Sequence, residues 1–116
     1  MSAPQINALS AIAFQLAATL QAYQADMDLL VGQGFDPDVY RRVSAQVDQM
    51  RMYAAALPPL SVAWVEVMIR HFELTHGLWR AHKPGGEGVD VDRLHAQLDE
   101  AVERLARKCV QLMPSA

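Results

Sequence analysis

Apolar residues recur at alternating steps of three and four along most of the chain, and glycine and proline cut the runs apart. In the first run Ile6, Leu9, Ala13, Leu16, Leu20, Tyr23, Met27 and Leu30 follow the steps 3-4-3-4-3-4-3. In the second, Tyr40, Val43, Val47, Met50, Ala54 and Leu57 follow 3-4-3-4-3. An α-helix turns about 100° per residue, so such a run stays on one side and forms the seam of a helix lying lengthwise against others. No run alternates with the period of a strand. The pattern therefore predicts an all-α chain.

The breaks set the number of helices. Gly32 and Gly34, followed by Asp36-Pro37, read as a stop and a restart, with Asp36 capping a helix whose first turn holds Pro37. Pro58-Pro59 ends the second run, because neither residue can donate the hydrogen bond that continuation needs. Lys83-Pro84-Gly85-Gly86-Glu87-Gly88 reads as a flexible connection. After it, Asp90 is placed to cap a fourth helix, with Val89 and Leu94 forming a hydrophobic staple across the cap. The chain is expected to form one domain over residues 1–116: an antiparallel, up-down-up-down four-helix bundle. Its helices are expected at about 4–32, 37–57, 60–82 and 90–113, with a flexible loop at 83–89.

The third helix carries more apolar surface than one bundle interior needs. One seam is Val62, Val65, Ile69, Phe72, His76 and Trp79; a second is Leu60, Trp64, Val67, His71, Leu74 and Leu78. The two lie roughly 150° apart around the helix. Only the stripe Glu66, Arg70, Glu73, Gly77 and Arg80 is free of large apolar side chains. If the first seam fills the core, the second is left to meet another molecule, with Trp64 as an anchor. His71 in that stripe would weaken the association when protonated near neutral pH. The first helix has no charged side chain before Asp26 and offers a second candidate surface. The fourth helix is an ordinary amphipathic one. It is expected to bury Val91, Leu94, Leu98, Ala101, Val102, Leu105, Cys109 and Leu112, and to expose acids and bases opposite them.

Composition narrows the partners. A net charge of −3, with the basic residues interleaved among acids, predicts no nucleic-acid or membrane partner. No apolar run has the length of a membrane span, and the first residues lack the pattern of a signal peptide. The single cysteine, Cys109, excludes an intramolecular disulfide and suits a reducing cytoplasm, where it is expected to act as a small buried hydrophobe.

No motif for nucleophilic catalysis or phosphate binding appears. The weak alternative is a metal or haem bundle built on His71, His76 and His95 with nearby carboxylates. Glu73–His76 and Asp92–His95 have the three-residue spacing that di-metal bundles use, and Met50 and Met68 add haem-ligand types. Convergence of all four ligands is not implied by the spacing, because Glu73 falls on the polar stripe and His76 on an apolar seam. The expectation is a non-enzymatic interaction protein (adaptor, chaperone or regulator) without a cofactor. Its partner is expected to be a second copy or another protein, through helix 3, helix 1 or both.

Overall fold

A computed structural model describes residues 3–114, with side-chain surroundings from residue 7 onward. Four helices follow one another: α1 (Ala3–Gln33), α2 (Pro37–Ala55), α3 (Ser61–Ala81) and α4 (Val91–Gln111). Single turns of 3-10 helix, Pro58–Leu60 and Gly86–Gly88, lead into α3 and lie between α3 and α4. The described residues contain no strand. The all-α four-helix bundle follows, elongated to 57 × 24 × 22 Å because α1 has 31 residues against 19 to 21 in the others.

The punctuation residues act as their chemistry requires. Gly34 follows α1 with φ +89°, a left-handed conformation that a side chain would strain. Asp36 then caps α2, its carboxylate accepting from the Asp38 N–H at 2.8 Å, with Pro37 in the first turn. Asp90 caps α4 by accepting from the Arg93 N–H at 3.0 Å. Val89 and Leu94, the two arms of the expected staple, both stand over Gly77 of α3. The loop expected to be flexible contains an ordered element: Gly86 is buried against the backbone of Arg80 and Ala81, where no Cβ fits.

α1 packs against α2 and α4, and α3 packs against α4, whereas α2 and α3 meet only sparsely. The bundle is therefore closed on three edges and splayed on the fourth. Its core takes Ala13, Leu16, Leu20, Tyr23, Met27 and Leu30 from α1, the seam read from the sequence. Ile6, at the start of that seam, lies outside the described side chains. α4 contributes Leu98, Ala101, Val102, Leu105 and Cys109, with Val91, Leu94 and Leu112 half-buried at its ends. Burial pushes the Cys109 thiol up to about 11, which keeps it protonated and unreactive at neutral pH.

Two seam assignments are corrected. In the first turn of α2, Val39 rather than Tyr40 points inward; Tyr40 is left exposed and stacks on Phe35 at a centroid distance of 4.9 Å. In α3 the roles of the two seams are reversed. Leu60, Val67, His71, Leu74 and Leu78 are buried in the chain's own core, and Trp64 is half-buried beside them. Small residues explain the choice. Ala63 and Gly77 flank this seam and are themselves buried, and at Gly77 the backbone of α3 comes close under Leu94 of α4 and Val89 before it. The other seam, crowded with branched and aromatic side chains, has no such room.

No helix of the described residues is long and apolar enough to cross a membrane.

Candidate functional site

The reversal leaves the first seam of α3 outside. Val62 is 82% exposed, Val65 53%, Ile69 48%, Phe72 60% and Trp79 54%. Their 3-4-3 spacing, continued through the exposed His76 to Trp79, draws a straight apolar stripe along the whole helix. The fold thus removes Leu60, Val67, His71, Leu74 and Leu78 from solvent and presents the opposite face instead.

The stripe is bordered rather than interrupted by charge. Arg70 donates to Glu66 at 3.0 Å and to Glu73 at 2.9 Å, so one guanidinium bridges both acids along a single edge and leaves that edge with a net negative charge. These bonds hold the Arg70 guanidinium above its ordinary value. At the other end, Lys83 Nζ lies 3.2 Å from the centroid of the Trp79 ring, and His76 meets the same indole edge-on at 6.2 Å. Beyond Phe72 and Trp79 the surface continues into a groove of about 390 Å³ whose other wall is Phe35 and Tyr40, at the turn from α1 to α2. A second exposed apolar point, Phe14, sits on the charge-free face of α1 and, among the described residues, has no large apolar neighbour of comparable exposure on that helix.

His71 is the only buried polar side chain among the described residues. Its Nδ1 lies 2.7 Å from the Tyr23 hydroxyl, a bond across the bundle from α1 to α3. Burial lowers the His71 imidazole to about 4, so the ring is neutral at pH 7. Burial, and then the charge of Asp99, raises the Tyr23 phenol well above its usual range. A neutral pair sharing one hydrogen bond is the stable form in a core, and the titration expected near neutral pH is displaced downward by burial. The pair satisfies two polar groups and presents neither to a ligand.

The remaining candidate ligands separate. Glu73 is engaged by Arg70, His76 faces Trp79, and Asp92 is exposed in the first turn of α4. Glu73 and His76 line a groove of about 650 Å³ between the end of α3 and the start of α4, together with Arg80 and Arg93. His95 lies elsewhere, on the α1–α4 edge. Its Nε2 is 2.7 Å from Asp28 Oδ1 and 3.7 Å from Asp99 Oδ2. Gln24 donates from Nε2 to Asp99 Oδ1 at 3.0 Å. Sequence reasoning paired His95 with Asp92, had Asp26 and Asp28 as the carboxylates helix 1 could offer without placing either beside His95, and missed Asp99. The four-residue step from His95 to Asp99 was a usable signal; Asp28, 67 positions away, was not.

Compared with known protein families, curated proteins and solved structures, the chain finds no match.

Proposed function

We propose that this domain is a protein-interaction module that self-associates, the outward seam of α3 pairing antiparallel with the same seam of a second copy. One observation carries the reading: Val62, Val65, Ile69, Phe72 and Trp79 are about half-exposed or more on a single heptad-spaced face. Three branched and two aromatic side chains at that exposure offer on the order of 500 Å² of apolar surface, in the upper part of the range for the largest patch on a monomer, a patch that is often functional. Phe35 and Tyr40 extend it toward the ~800 Å² that one partner contributes to a standard interface.

A second copy suits this surface in shape and charge. The stripe has the spacing of helix-on-helix packing and holds no carboxylate, lysine or arginine between Val62 and Trp79. A two-fold axis near Ile69 and Phe72 would set its two ends over one another, with the bridged Glu66–Arg70–Glu73 edge left in water at the rim. Adaptor, chaperone or regulator roles all suit such a module, and one buried cysteine fits a reducing cytoplasm.

Sedimentation equilibrium tests the proposal at micromolar concentration. The wild-type chain should have the mass of two chains, and Ile69→Glu should give a folded species of one. A wild-type mass of one chain, or an Ile69→Glu variant that keeps the wild-type mass, overturns it.

A further inference from the structure

We propose that Asp28, His95 and Asp99 form a site for a divalent transition-metal cation of the zinc class, clamping α1 to α4. The three donor atoms come from two antiparallel helices and lie within 4.8 Å of one another. Zinc binds nitrogen and oxygen at about 2.0–2.2 Å, and tetrahedral placement then holds the donors about 3.4 Å apart. The two distances about His95 Nε2, 2.7 Å to Asp28 and 3.7 Å to Asp99, straddle that spacing. With every donor pair already within 4.8 Å, side-chain adjustment without movement of either helix would bring all three onto one cation.

The surroundings are those of a ligand set. Gln24 occupies Asp99 Oδ1 and leaves Oδ2 directed at His95, as an outer-shell partner orients a metal-binding carboxylate. His95 and Asp99 are half-buried and Asp28 is exposed, so one side is open to water as a fourth ligand. Two carboxylates balance a dication, and the imidazole nitrogen disfavours calcium and magnesium, which seek all-oxygen shells. When the cation binds, any proton on His95 Nε2 is released to solvent and the neutral nitrogen ligates in its place. α3 takes no part, so this site and self-association succeed or fail separately.

Calorimetric titration of the intact chain with Zn2+ near pH 7 tests the site, with Co2+ visible absorption as a readout of coordination. One Zn2+ per chain is expected. His95→Gln, Asp28→Asn and Asp99→Asn should each weaken binding at least tenfold, and Gln24→Ala by about tenfold. His76→Gln should bind as the wild type does. Because His95 and Asp28 lie on different helices, either variant serves if the other fails to fold. Absence of stoichiometric Zn2+ binding, or binding unchanged in both His95→Gln and Asp28→Asn, overturns the proposal.

Discussion

α3 and α4 are each 21 residues long, run antiparallel and pack on one another, yet their outward faces are opposites. α4 turns Asp92, Arg93, Glu100, Glu103, Arg104 and Arg107 to water. α3 turns Val62, Val65, Ile69, Phe72 and Trp79 to the same solvent. Their inward faces are alike in being mostly leucine and valine, with Ala63 and Gly77 on α3 and Ala101 on α4 buried among them. Folding of one chain accounts for both inward faces and for the outward face of α4. It leaves the outward face of α3 unexplained, and that is the difference from which an interface is argued.

The largest effects should separate the two faces of α3. Leu74→Ala empties fully buried volume and should cost about 2–5 kcal/mol in urea unfolding. Ile69→Ala should leave the isolated chain within about 1 kcal/mol of wild type, its effect falling on association instead. Equal losses at the two positions would erase the distinction between the faces.

Acid should act through the inward face. His71 titrates near 4 in the folded chain against an ordinary value of 6.5, so the unfolded chain takes up its proton first. The folded state then keeps its full advantage above about pH 6.5 and loses it as pH falls toward 4, by at most about 3 kcal/mol. Urea midpoints measured across that range should show a fall that is absent in His71→Gln. Tyr23→Phe leaves His71 Nδ1 without its partner and should cost about 1–3 kcal/mol at pH 7.

The junction of the two helices should show a smaller contrast. Gly86→Ala drives a methyl into the Arg80 backbone and should cost about 1–3 kcal/mol in thermal or urea unfolding. Gly77→Ala meets Leu94 Cδ1 at 2.6 Å, the end of a side chain that can turn aside, and gains helix propensity. Its net change should stay within about 1 kcal/mol. Smallest of all, Glu100→Gln on α4 should shift stability by no more than about 0.5 kcal/mol, since no ion pair to Arg104 forms among the described residues.

The helices, their caps and the seams of α1 and α4 were legible because each depends on local chemistry. Spacing fixes a face, Asp36 and Asp90 supply caps, and Pro58-Pro59 allows no continuation. The surplus on α3 was legible too, as two seams of six residues each. Which seam faces inward was not, because the counts are equal and the decision is tertiary. The signal was present in Ala63 and Gly77, whose small size marks where a neighbouring helix comes close. The carboxylates around His95 were only partly legible, for a related reason. Three-residue spacing put Asp92 beside His95 in sequence, but the carboxylates that reach His95 are Asp99, one turn on, and Asp28, from a helix whose register the sequence does not reveal.

The most direct test follows Trp79 in a Trp64→Phe background, where it is the one tryptophan left. At tens of micromolar chain, a concentration at which a micromolar dimer is formed, its emission should be blue-shifted and shielded from iodide. Ile69→Glu in the same background should restore red emission and ready quenching. A Trp79 that is freely quenched at that concentration before any charge is introduced would contradict the claim that a second copy covers the outward seam of α3.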